Sequence, residues 1–289
     1  MKIVRIDGGL GNQMFCYAFA IALQRASGEE ILIDTHRYKF FPNHNGYELS
    51  SIFDIRLSEA NRNQLWKVTY PANSLLTSRI FQYFPTRKTE IKENFIKCYP
   101  TILKEKKDGY YIGNWQWPGY FEDIKEEIVK QFSFKRPMSQ RNKCIHDNLK
   151  YDNKTVSIHV RRGDYLTTPL YSGICGIDYY RKAIDLTRSK IHDVSHVVIF
   201  SNDPQWCIKN INPMLGGIKT TVVNWNVGID SCDDMRLMSM CRVNIIANSS
   251  FSWWGAYLNQ RPDRIVIAPD KWINLPLEYR IQCNDWICL

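Results

Sequence analysis

TVSIHVRRGDY, residues 155–165, decides the fold. Its first six residues alternate β-branched and polar side chains, the pattern of a strand, and Gly163 marks the turn that follows. Two adjacent guanidiniums, Arg161 and Arg162, stand at the carboxyl end of that strand, where open α/β sheets bind ligands. Their planar, five-donor forks match phosphate oxygens. With His159 and Asp164 alongside, the stretch predicts a strand of a parallel sheet that ends on a phosphorylated ligand.

Working outward toward the C-terminus, strands are predicted at 155–160, 196–201, 219–225, 243–247 and 264–268. Helices near 178–190, 204–211, 233–241 and 251–260 separate them. That alternation implies a parallel sheet with right-handed crossovers. At the other end, Lys2–Asp7 reads as a strand, GGLGN as a glycine turn, the segment through Ala26 as a helix and Ile31–Asp34 as a second strand. This is the opening of a doubly wound sheet. Between 35 and 110 the pattern is weak, with helices expected near Glu59–Trp66 and Leu75–Phe84. Tyr110–Trp115 reads as a strand, and Tyr120–Phe132 as a helix with Ile124, Ile128 and Val129 on one face. The polar segment Lys135–Lys154, with Pro137, marks the boundary between two α/β domains, 1–150 and 151–289, expected to face one another across a cleft.

Composition narrows the classes. The net charge of +9 favours anionic partners, yet Lys104–Lys107 is the one basic cluster that stands out as a run and Glu105 interrupts it. That argues for a nucleotide or a membrane surface over nucleic acid. Nine cysteines occur without a Cys-x-x-Cys, which argues against a disulfide framework and a structural zinc site. Met14–Leu23 (MFCYAFAIAL) resembles a signal-peptide core, but a glycine loop stands before it in place of a basic flank. No segment approaches the ~20 apolar residues of a membrane span. The expectation is a cytoplasmic protein with at most peripheral contact on the inner membrane face.

Three further constellations carry chemistry. In VVIFSNDP a strand ends in Ser201, Asn202 and Asp203, and Asp203 is either the cap of the helix opened by Pro204 or an acceptor for a base edge or ribose hydroxyl. In IIANSSFSWWGAYL a strand gives way to Asn248, Ser249, Ser250 and Ser252 at the start of a Trp-rich helix. Hydroxyls and free backbone amides at a helix start bind anions without a metal. The Gly8–Gln13 loop lacks the spacing of a dinucleotide fingerprint, although Asn12 both donates and accepts hydrogen bonds. No Asp-x-Asp occurs, and Asp230, Asp233 and Asp234 read as acids favouring a helix dipole.

Taken together, GGLGNQMF, HVRRGD, FSND and NSSFSWWGAYL, in this order, resemble the bacterial α-1,2-fucosyltransferases of glycosyltransferase family 11, from Ile6 to about Pro269. HVRRGD alone is shared with α-1,6- and protein O-fucosyltransferases. The resemblance implies a GT-B-like fold of two Rossmann-like domains, an N-terminal acceptor side and a C-terminal donor side. It implies GDP-β-L-fucose as donor, a β-galactoside oligosaccharide as acceptor (free or lipid-linked), and inversion with no cofactor and no metal. It makes Arg161 the ligand of the β-phosphate, supported by Arg162. His159 and Asp203 would contact the guanosine, Ser249, Ser250 and Ser252 the diphosphate, and Asn12 the sugar or acceptor. Asp7 and Asp164 are candidate bases, Asp164 alternatively orienting the arginines. Asn202 stands where an acidic residue is common, and Val243 where a histidine is frequent. A non-catalytic glycan-binding protein and a nucleotide-dependent oxidoreductase are the rivals from other classes.

Overall fold

The computed structural model describes residues 1–40, 44–70, 75–81, 84 and 87–289. The chain forms two compact units, Met1–Arg136 with Leu277–Arg280, and Pro137–Pro276 with Ile281–Leu289. Both are built on parallel sheets. The first break falls at Arg136–Pro137 and not at 150, because Gln140–Tyr151 forms a helix belonging to the second unit.

In the first unit, β1 (Lys2–Arg5), β2 (Ile31–Asp34), β3 (Glu90–Lys92) and β4 (Gly109–Ile112) stand in the order β2-β1-β4-β3. Helix α1 (Leu10–Ser27) crosses from β1 to β2 and is apolar on nearly every side, with Met14 to Leu23 buried throughout. A helix without a polar face belongs inside a core. Gly28 ends it in the left-handed conformation, its N–H donating to Gln24. The helix expected at Glu59–Trp66 is α2 (Arg62–Val68), starting later because Asn61 and Gln64 form a reciprocal capping box. The strand expected to reach Trp115 stops at Ile112. The 120–132 segment is two short 3₁₀ turns followed by α3 (Lys125–Gln131). The helix near 75–84 spans Leu75–Phe81; residues 82–83 lie outside the described residues.

In the second unit, α4 (Gln140–Tyr151) precedes a six-stranded sheet. Its strands are β5 (Thr155–Val160), β6 (His196–Ser201), β7 (Thr220–Val223), β8 (Val243–Ile245), β9 (Ile265–Ala268) and β10 (Ile287–Cys288). The order β10-β9-β8-β5-β6-β7, all parallel, is that of the dinucleotide-binding Rossmann sheet read from its other edge. The chain moves outward from β5 through β6 to β7, then returns to lay β8 on the opposite side of β5. The strand order therefore reverses between β5 and β8, and ligands of such sheets bind beyond the carboxyl ends at that point. Helices α5 (Ile177–Lys190), α6 (Pro204–Asn210), α7 (Cys232–Met238) and α8 (Ser250–Tyr257) make the connections. Tyr179, Tyr180, Ala183, Ile184 and Thr187 are the buried face of α5.

Among the described residues no disulfide joins any two of the nine cysteines, and Cys16, Cys207, Cys232 and Cys241 are buried. Among the described residues no helix is long and apolar enough to cross a membrane.

Candidate active site

The site is assembled where the second sheet reverses. β5 pairs with β6 through His159↔Phe200 and Val160↔Ser201, and with β8 through Ile158↔Ile245. Continuing these registers brings HVRRGD, FSND and ANSS to one edge of the sheet. Side-chain contacts tie them together. Asn202 accepts from the Arg162 N–H (2.9 Å) and donates back to its carbonyl (3.2 Å). The His159 ring lies 5.9 Å from that of Phe251.

Arg161 leaves the strand and pairs with Asp164 (Nη2 to Oδ1, 2.8 Å), its guanidinium 5.3 Å from the Tyr165 ring. Tyr165 stacks on Tyr171 at 4.5 Å and 16°, which fixes that ring. Burial pushes the Tyr165 hydroxyl up to about 12, so it stays protonated. Asp164 thus holds the arginine in place. Gly163 permits the bend: its φ is +62°, and a Cβ there would stand 2.8 Å from the Asn202 amide nitrogen.

Arg162 is committed elsewhere. Its Nε donates to Asp203 Oδ2 (3.0 Å) and its guanidinium lies 4.2 Å from the Trp206 ring. The other Asp203 oxygen accepts from the Trp206 N–H (3.1 Å), capping α6. Asp203 is therefore both cap and arginine partner. His159 is buried, its Nδ1 without a hydrogen-bond partner. Burial first, and the nearby Arg161 second, push its pKa down to about 3, so the imidazole is neutral at ordinary pH.

At the start of α8, Ser249 occupies the N-cap position but its side chain caps nothing, which leaves the first-turn amides without a capping side chain. Ser249 is buried and Ser250 half-buried. Ser252 corrects the expectation that it faces a diphosphate. It is fully buried, and its hydroxyl donates inward to the carbonyls of Ala247 (3.4 Å) and Ser249 (3.3 Å). Trp253 and Trp254 are also fully buried, the Trp253 indole donating to Ile281 (2.7 Å), so they are core and not a sugar-stacking platform.

One feature of this edge was read differently from sequence. Asp233 and Asp234 open α7, but neither merely faces a helix dipole. Asn142 donates to Asp233 (2.7 Å), and Asn226 donates to Asp234 (2.7 Å). Burial, with Asp233 beside it, pushes Asp234 up to about 7. A desolvated carboxyl at the carboxyl edge of such a sheet is a candidate hydrogen-bond acceptor for a ligand. Adjacent acids following a strand and a polar NWN segment were the available signal.

In the first unit, Asn12 lies in the first turn of α1 and accepts from Gln116 (2.8 Å). Gln13, fully buried, donates to the carbonyls of Gly8 and Gly46 and accepts from the Glu48 N–H, so it staples the loop. Gly8 has φ +76°, and a Cβ there would meet the Asn12 amide at 2.7 Å. Asp7 pairs with Arg5 (2.8 Å) and accepts from the Gly8 N–H (3.1 Å).

The whole chain, residues 1–289, matches the family model described as Glycosyl transferase family 11. Two Escherichia coli proteins are similar along nearly all of it. The O-antigen biosynthesis glycosyltransferase WbnK is 30% identical over 98% of this chain and 99% of its own. An α-1,2-colitosyltransferase is 31% identical over 93% and 91%. The mouse galactoside α-(1,2)-fucosyltransferase 2 is 28% identical over 87% of this chain and 66% of its own. The crystal structure of the α-1,6-fucosyltransferase NodZ with GDP superposes with a TM-score of 0.57, covering 93% and 94% at 12% identity, a likeness of fold.

Proposed function

The chain belongs to glycosyl transferase family 11 and is a glycosyltransferase of the α-1,2-fucosyl type, and we propose that it moves L-fucose from GDP-β-L-fucose to the 2-hydroxyl of a terminal β-galactoside, with inversion and without a metal ion. One observation carries the donor half of this reading: Arg161, held by Asp164 and Tyr165, and the α8 amides left without a side-chain cap share one edge of a Rossmann-ordered sheet. Cationic forks and helix-start amides suit a pyrophosphate.

In the proposed reaction the galactose O2 attacks C1 of fucose while the bond from C1 to the β-phosphate oxygen breaks. Negative charge grows on the departing GDP, and donors preorganised at that oxygen lower the barrier because they bind the transition state more tightly than the ground state. Arg161 supplies the full charge, the α8 start supplies amides, and Ser249 and Ser250 supply hydroxyls. Arg162, fixed by Asp203 and Trp206, shapes the floor of the site and adds positive potential. Neutral His159, and Asp234 with Asn226, are assigned to the nucleoside. Asn12 is assigned to the sugar or acceptor. Asp164 acts by positioning Arg161, and the departing phosphate is assigned the proton of O2. Cytoplasmic placement with peripheral contact at a membrane that presents a lipid-linked acceptor completes the reading.

A second donor is favoured by one finding, the likeness to an α-1,2-colitosyltransferase, colitose being fucose without its 3-hydroxyl. The deciding experiment is incubation with GDP-fucose or GDP-colitose and a panel of β-galactosides in EDTA, with linkage read by NMR. An α-1,2-fucosyl product is expected. Transfer from GDP-colitose alone would replace the donor, and product formed only after a divalent metal is restored would reject the metal-free mechanism.

A further inference from the structure

We propose that the surface of the first unit carrying Trp66, Lys67, Leu76, Ile80, Phe84 and Lys88 docks on an anionic lipid bilayer. The inference deepens the peripheral-contact reading by naming the surface, and a bilayer would be met there whether or not the chain transfers fucose.

Charge is the first ground. Between Asn61 and Thr89 the sequence holds Arg62, Lys67, Arg79, Arg87 and Lys88 and no Asp or Glu. One tenth of the chain thus supplies more than half of its net charge of +9. Lys67 and Lys88 are exposed.

The second ground is apolar surface beside that charge. Leu65 and Val68 of α2 turn inward, against Ile3, Leu32 and Tyr110, while Trp66 between them stays 44% exposed. Leu76 is 68% exposed, Ile80 45% and Phe84 49%. The aromatic members touch one another: Trp66 lies 5.7 Å from Phe81, Phe81 5.7 Å from Phe84, and Tyr70 within 5.6 Å of both phenylalanines. Solvent-facing aromatic and aliphatic side chains gathered in one place mark an interaction site.

The third ground is a fixed base. Arg87 donates to the carbonyls of Trp66 and Thr69 and lies over the Tyr70 ring at 4.8 Å. Thr89 donates to the Val68 carbonyl (2.6 Å), and Thr69 to Glu90 (2.8 Å). The end of α2 is thus tied to residues 87–90 at the start of β3, which anchors Trp66 and Lys67 on one side and Lys88 on the other. Indole and phenyl rings flanked by Lys and Arg suit the headgroup boundary of an anionic leaflet, where rings enter the acyl edge and cations meet phosphates. A protein partner would be served by the apolar cluster but gives no reason for the complete exclusion of acids.

The test is flotation of the full chain with phosphatidylcholine vesicles, with and without about 30% phosphatidylglycerol, at about 0.1 M and about 0.5 M salt. We expect binding to the anionic vesicles only, weakened by salt. The triple variant W66S/I80S/F84S and the double variant K67E/K88E should each weaken partition about tenfold or more. Circular dichroism and the thermal midpoint verify folding of both variants, and unchanged kcat/KM on a soluble β-galactoside separates this surface from the active site. Equal flotation of folded variants and parent overturns the proposal, as does absence of binding to anionic vesicles. A dimer by light scattering that the triple variant dissolves would assign the face to a second copy and likewise overturn it.

Discussion

Replacing Arg161 by alanine separates catalysis from folding. The side chain is 30% exposed and its ion pair with Asp164 lies at the surface. Such a pair contributes about 0–1 kcal/mol to stability, so the variant should fold and melt within a few degrees of the parent. In the proposed reaction the same guanidinium, held by Asp164 and the Tyr165 ring, is assigned to the oxygen where charge accumulates. Losing one preorganised donor of this kind costs about 3–4 kcal/mol, or roughly 10²–10³ in rate. Arg161→Lys keeps the charge but not the planar fork and should fall between the two. Initial rates of GDP release, with kcat/KM for the donor, measure the effect. Near-parental kcat/KM in a folded Arg161→Ala would refute the assignment of the β-phosphate to this residue.

Further outcomes follow from the same edge of the sheet. Gly163→Ala forces a Cβ against Asn202 at positive φ and should cost ~1–3 kcal/mol, read as a drop of several degrees in thermal midpoint. His159 has its pKa lowered by burial, so the unfolded chain binds more protons below its ordinary pKa. Its neutral burial therefore stabilises fully above about pH 6.5, and that stability is lost as pH falls toward 3, a trend that His159→Asn should flatten in thermal melts across that range. The kcat/KM profile should accordingly show no histidine limb near neutrality. Asp164→Asn should lower kcat about tenfold while keeping the acid limb, since the residue positions Arg161; loss of that limb would make Asp164 the base.

Much of this was legible in the sequence, and what escaped it did so for local reasons. β5 and β6 fall where alternation and β-branching put them, and β7, β8 and β9 differ only at their ends, because all are bounded by turn residues and all but the half-buried edge strand β7 are largely buried on both faces. β10 is a two-residue edge strand and β3 a three-residue one, too short to carry a period. Helix α4 was hidden because QRNKCIHDNLKY buries only Asn142 and Leu149, so it reads as a linker and moves the boundary. The gathering of HVRRGD, FSND and NSS followed from their shared position after strands. Side-chain direction did not: the sequence cannot tell that Ser252 turns inward to its own backbone, or that Asp203 divides its oxygens between a helix cap and Arg162. Asp234 reads from sequence as a helix-dipole acid because its burial, and the Asn226 hydrogen bond that partly offsets it, exist only in the folded chain.

The most direct measurement is a calorimetric titration of the chain with GDP and with GMP in EDTA. If Arg161 and the first turn of α8 grip the β-phosphate, GDP should bind about 10–100-fold more tightly than GMP, and Arg161→Ala should erase most of that gap. Equal affinity for the two nucleotides, or GDP binding that appears only when a divalent ion is added, would contradict it.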